Sequence, residues 1–207
     1  MTERDESSLP DRIGEHVADR IMRRRLLPGS HLVTEKLSAE LGVSRIPVRE
    51  ALRTLAGRGL VEFSRNRGVF VAQVSPEQVT QILEVRARLE PWMAALAARH
   101  RTTDDLVRLE AILDDGAAAI AAGRRVEQEL AHHGYLRALS TAARHDILDQ
   151  TLLPLHQRTV LALATMRHDL DAQEWERHRE VHRAIADGDA TLAAELTDAQ
   201  LRAMVDL

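Results

Sequence analysis

The sequence predicts a mainly helical fold in two parts: three helices and a β-hairpin over residues 9–74, then a bundle of about six helices over 75–207. Three observations predict it. Aromatic residues are only 2% of a 207-residue chain that is 44% hydrophobic, so its core must be built from Leu, Val, Ile and Ala, a mixture that favours helices. Apolar residues recur at helical spacing between recognisable caps and stops. The net charge of −4 also hides a division, with eleven basic against four acidic residues over 20–74 and 15 against 22 from Ser75 onward. Two domains with different partners are expected, the first suited to a polyanion because Arg and Lys neutralise phosphate.

Residues 1–8 read as a disordered, acidic start. Over 9–26, Ile13, Val17 and Ile21 mark a first helix that stops at Pro28-Gly29. Thr34 is placed to cap a short helix over 35–41, which Gly42 ends in the left-handed conformation. Ser44 caps a third helix over 45–56, with Val48, Ala51, Leu52 and Leu55 on one face; Pro47 is tolerated because it lies in the first turn. Gly59 closes it. Strands over 60–64 and 69–74 flank Arg65-Asn66-Arg67-Gly68, a hairpin with two arginines at its tip.

This order is that of a winged helix-turn-helix, whose recognition helix puts its first residues into the major groove. Ser44, Arg45, Pro47 and Arg49 stand there. Arg45 suits a guanine edge, to which Arg donates two parallel hydrogen bonds, and the Ser44 hydroxyl suits a phosphate. Arg65 and Arg67 are placed to follow the backbone or the minor groove, with Gly68 permitting close approach.

The run Val43-Ser44-Arg45-Ile46-Pro47-Val48-Arg49-Glu50-Ala51-Leu52-Arg53, with Leu26-Leu27-Pro28-Gly29 before it and Arg67-Gly68-Val69-Phe70-Val71 after it, resembles the GntR family of bacterial transcription regulators. The resemblance implies DNA contacts from Ser44, Arg45, Pro47, Arg49 and Gly68, and a phosphate contact from Lys36. A homodimer on a palindromic duplex is expected, because one recognition helix reads only a few base pairs.

In the second part Ser75, Pro76 and Gln78 form the start of a helix carrying Val79, Ile82, Val85, Leu89, Met93 and Leu96. Further helices are expected over 104–122 with Thr103 as cap, 126–143, 147–166, 172–186 and 190–205. Three segments, 85–99, 135–146 and 178–190, resemble the FCD domain of FadR-like GntR regulators. That resemblance implies a pocket for a small carboxylate effector at Arg86, His132, Tyr135, His145, His178 and Gln200, with Arg86 as its anchor. It also implies a divalent metal, but the pattern is degraded. His178 matches its place, but His132 stands where Asp is usual and Leu136 and Gln200 where histidine ligands are usual, so zinc or nickel is expected to bind weakly, through His132 and His178, or not at all.

Other readings stand beside these. Glu129 with His133, or His178 with His182, could pair at i,i+4 on a metal; Arg86 could instead form a helix-surface ion pair with Glu90; His156 and His168 read as satisfied or solvated. A metal-free regulator with a vestigial site is the alternative function. A metal-dependent hydrolase would need three protein ligands and a base, and no H-E-x-x-H or similar set occurs, so no enzymatic activity is expected. The absence of cysteine excludes disulfides and thiol chemistry. With no apolar run near 20 residues and no signal-peptide pattern, a cytoplasmic protein without membrane contact is expected.

Overall fold

The computed structural model describes residues 8–164 and 172–205. Contacts divide the chain into two compact units, Met1–Gln73 and Val74–Leu207.

In the first unit, α1 (Leu9–Met22) begins at Ser8, which was expected within the disordered start. Ser8 is instead an ordered cap: Asp11 N donates to Ser8 Oγ (3.3 Å) and Ser8 N donates to Asp11 Oδ2 (3.2 Å). The helix ends four residues earlier than expected. Arg24 turns left-handed (φ 55°), and the amides of Arg25 and Leu26 fold back onto Arg20 O, so the chain has left the helix before Pro28 is reached. Strand β1 (His31–Leu32) is too short to show a period and was not foreseen.

Helix α2 (Thr34–Leu41) is capped at Val33 rather than Thr34, without a side-chain cap, and Gly42 ends it at φ 66° as expected. Helix α3 (Arg45–Gly57) buries Val48, Ala51, Leu52 and Leu55, the face read from the sequence. Strands β2 (Val61–Ser64) and β3 (Gly68–Val71) are shorter than expected and form an antiparallel sheet of order β1-β3-β2.

The second unit is helical among its described residues. Helix α4 (Pro76–His100) starts with the capping box of Ser75 and Gln78. Its buried stripe runs through Ile82, Arg86, Glu90, Met93 and Ala97, which leaves Val85 exposed rather than on the core face. Helix α5 (Thr103–Ala121) is capped by Thr102, not Thr103, because Thr102 has an acid three residues ahead: Thr102 N donates to Asp105 Oδ2 at 2.9 Å and Asp105 N to Thr102 Oγ1 at 3.3 Å. Then follow α6 (Arg125–Ala143), α7 (Asp146–Leu163), α8 (Ala172–Asp187) and α9 (Ala190–Val205). The expected extension of α7 beyond 164, and His168, lie outside the described residues.

Helix α4 is central, in contact with α6, α7, α8 and α9, while α5 packs on α6 and α8. Gly116 lets the Trp175 indole lie against α5, where Trp175 Nε1 donates to Leu113 O at 2.8 Å. A Cβ on Gly116 would fall 1.9 Å from the indole. Gly116→Ala is therefore expected to destabilise this unit by about 1–3 kcal/mol despite the better helix propensity of Ala, because the rigid indole cannot give way. Urea unfolding followed by tryptophan fluorescence checks this; a more stable variant would contradict it. No described helix is long and apolar enough to cross a membrane.

Candidate nucleic-acid interface and ligand cavity

In the first unit, the start of α3 and the hairpin border a groove of about 360 Å³, lined by Glu35 of α2, Arg45, Ile46 and Arg49 of α3, and Phe63 and Gly68 of the hairpin. Arg45 and Arg49 are exposed and one helical turn apart, so they share a face. Ser44 is the N-cap of α3, but its hydroxyl makes no capping bond, which leaves an oxygen at a helix N-terminus able to meet a phosphate. Pro47 is half-buried in the first turn, and Lys36 is exposed on α2.

Glu35 of α2 carries no sequence signal for this groove. Its Oε1 lies 2.9 Å from Arg45 Nη1, with the two side chains 56% and 67% exposed. A surface pair of this kind is worth about 0–1 kcal/mol, so it holds Arg45 loosely and yields to a stronger acceptor.

At the hairpin tip Arg65 and Arg67 are exposed, and the Arg67 guanidinium lies 5.5 Å from the centre of the Phe70 ring. The left-handed residue of the turn is Asn66 (φ 63°). Gly68 is needed for a different reason as well: at φ 102°, a Cβ there would stand 2.6 Å from His31 Nε2. The imidazole of His31 stacks on Phe70.

The helical unit brings together Arg86 and Glu90 of α4, His132, Tyr135 and Leu136 of α6, His178 of α8, and Gln200 of α9, around one cavity. Five of the six residues expected at the effector site are thus in one place. His145 is not. It caps α7, its Nδ1 accepting from Leu148 N at 3.2 Å, and its ring meets the exposed Trp92 edge-on. A histidine two residues before Ile147 is consumed by the helix start, which the family pattern does not reveal.

The cavity volume is only about 20 Å³. That is room for about one water, so the closed form seen here does not accommodate an organic acid.

Arg86 is 1% exposed and fully engaged within the chain. Its Nε donates to Glu90 Oε1 (2.5 Å), Nη2 to Glu90 Oε2 (3.3 Å) and Nη1 to Thr159 Oγ1 (3.1 Å), while His156 Nε2 lies 2.8 Å from Glu90 Oε1. The pair with Glu90 is therefore in the core, not on the helix surface. Burial alone would raise the pKa of Glu90, but the charges and hydrogen bonds of Arg86 and His156 outweigh it and hold the carboxyl well below the usual range. His156, read as satisfied or solvated, is satisfied here; Thr159 gave no sequence signal.

His178 is held by a bond between its Nδ1 and Glu174 O (3.0 Å), and the Gln200 amide nitrogen lies 3.0 Å and 3.1 Å from its two ring nitrogens. His132 and Tyr135 meet the His178 ring edge-on at 5.1 Å. Burial pushes the pKa of His178 down to about 4. That of His132 falls well below the ordinary imidazole value, through burial first and then the charges of His178 and Arg86. At neutral pH the cavity thus holds neutral imidazoles beside a compensated ion pair.

The donor set fits a tight metal site poorly. Leu136 is buried and apolar, Gln200 contributes an amide, and among the described residues no three His, Cys, Asp or Glu side chains are grouped to hold a metal. The other pairings fare no better: His182 Nε2 is 2.8 Å from Glu110 Oε2, outside the cavity lining, and Glu129 Oε1 accepts from Arg125 Nε at 3.2 Å.

Two family models match the chain: "Bacterial regulatory proteins, gntR family" over residues 9–71 and "FCD domain" over 81–203. The HTH-type transcriptional regulator LutR of Bacillus subtilis is 29% identical over 211 residues, covering 87% of this chain and 94% of LutR. The galactonate operon transcriptional repressor of Escherichia coli is also 29% identical, over 90% of this chain and 92% of the repressor. The solved structure of E. coli McbR/YncC shares the fold, with a TM-score of 0.82 at 23% identity over 97% of this chain and 96% of that one.

Proposed function

Since this chain belongs to the gntR family of bacterial regulatory proteins, in the group with an FCD domain, and is a DNA-binding transcription regulator, we propose that its DNA binding is modulated by a small carboxylate held in the helical unit. The observation that carries this reading is the convergence of Arg86, His132, Tyr135, His178 and Gln200 on one buried cavity. The name of the galactonate operon repressor fits the class, galactonate being a polyhydroxy carboxylate.

The acid would share or displace Glu90 on Arg86, and the cavity would widen to admit it. Such a change supplies coupling, because a ligand shifts DNA affinity only as far as it binds one conformation better than another. The test is to titrate the full chain, bound to a duplex it selects from a random double-stranded pool, with a panel of hydroxy and sugar acids. One of them should shift duplex affinity; no response from any acid would favour the effector-independent alternative.

The protein would act in the cytoplasm as a homodimer on a palindromic duplex, which sedimentation of the DNA complex would reveal. The exposed Val85 and Trp92 of α4, with Glu84 and Arg88 of opposite charge beside them, suit contact with a second copy placed antiparallel.

Arg45→Ala is expected to weaken specific binding by about 1–3 kcal/mol and relax base preference, whereas Lys36→Ala should weaken all duplexes alike and flatten the salt dependence. Fluorescence anisotropy at several salt concentrations separates the two effects. Equal loss on specific and random duplexes for Arg45→Ala would remove it as a base reader.

Any zinc or nickel would be held weakly by His132 and His178, with water or ligand oxygens completing the sphere. Leu136→His with Gln200→His is expected to raise metal affinity by orders of magnitude, since it adds two nitrogen donors to the two present. Calorimetric titration checks this; stoichiometric metal surviving chelator dialysis in the unmodified protein would contradict it.

A further inference from the structure

Ile46 is the second residue of α3 and 70% exposed, whereas Val48 and Leu52 of the same helix are fully buried. Folding therefore gains little from its side chain, most of which the described residues leave open to solvent. Its surroundings are charged: Arg45 precedes it, Arg49 lies one turn on, and all three line the groove between α3 and the hairpin. A β-branched apolar side chain, stiff about χ1, stands at the end of the helix that faces base edges.

The major-groove edges of the bases offer hydrogen-bond donors and acceptors almost throughout. The apolar feature among them is the C5 methyl of thymine, which 5-methylcytosine also carries. We propose that Ile46 is a specificity-determining residue that reads a pyrimidine C5 methyl next to the base pair taken by Arg45. This rests on the reading of α3 as the helix that enters the major groove.

The geometry also separates Ile46 from Phe63, the other exposed apolar residue of the groove. Phe63 is 53% exposed and belongs to β2 of the hairpin, so it does not project from the helix start. Burial of one methyl between Ile46 and a base is worth about fourfold in affinity, from roughly 0.8 kcal/mol per buried carbon.

The test uses the full chain and a duplex it selects from a random double-stranded pool. Each thymine is replaced in turn by uracil, which removes the methyl and leaves base pairing intact. One position per half-site should lose about fourfold in affinity. Ile46→Ser should bind the thymine and uracil duplexes equally, while Ile46→Val should keep part of the difference. Cytosine at that position should bind more weakly than 5-methylcytosine, which identifies the methyl rather than the rest of thymine as the group read.

Indifference of the wild-type protein to uracil at every position would overturn the role of Ile46 while leaving the DNA reading intact. So would sensitivity that persists in Ile46→Ser. A chain that enriches no duplex would overturn the underlying reading as well.

Discussion

Arg86→Ala is expected to lower the stability of the helical unit by about 3–5 kcal/mol, the cost of leaving one member of a buried ion pair without its partner. Glu90 is 3% exposed and would keep only His156, whose own pKa is lowered, by burial first and against the pull of Glu90. Removing both charges with side chains of similar volume, Arg86→Met with Glu90→Leu, should recover most of the loss, because the desolvation of the pair disappears with it. Urea unfolding of the single and double variants tests this. A loss below about 1 kcal/mol in Arg86→Ala would mean that the guanidinium is not committed to Glu90. The variant is consequently a poor probe of ligand binding, since a lost response would be confounded with a weakened fold.

Acid is expected to unfold the helical unit in two stages. His178 ordinarily titrates near 6.5 but is pushed down to about 4 by burial, so between those values the unfolded chain binds the proton and the folded one does not. Stability therefore falls as pH drops through that window, by on the order of 3 kcal/mol for this residue. His132 and His156 are shifted in the same direction. Below about 4.5 Glu90 adds a second loss, because its folded pKa is depressed and its carboxylate must be protonated as the chain unfolds. Chemical unfolding at stepped pH, with chelator present to exclude metal, should show stability rising steadily from pH 4 to 7. A flat profile between 5 and 7 would contradict burial of the three imidazoles.

The first unit was largely legible because its signals are local. Gly42 and Pro47 each act on the backbone within a turn, Ser44 marks the helix start although its hydroxyl makes no capping bond, and the face of Val48, Ala51, Leu52 and Leu55 follows from spacing alone. Strand β1 was missed since two residues cannot display a period; it exists through pairing with β3. In the helical unit the family pattern located five cavity residues on four different helices, a placement that spacing alone could not give. The family pattern did not foresee that the arginine would be occupied. Glu90 at i+4 was visible, but its burial depends on α7, which brings His156 and Thr159 from 66 and 73 residues away to complete the network. His145 failed for the opposite reason, because a local demand, the first turn of α7, had already used its ring.

What the full chain selects from a random double-stranded DNA pool decides whether α3 reads bases through Arg45. Arg45, Ile46 and Arg49 line one groove beside the hairpin, and the proposed homodimer would present two copies of it, so the selected sequence is expected to be an inverted repeat. Its half-site should carry a guanine whose preference disappears in Arg45→Ala, and the two half-site centres should lie about one helical turn or a multiple of it apart. Retention of DNA without sequence enrichment, or a consensus unchanged in Arg45→Ala, would contradict it.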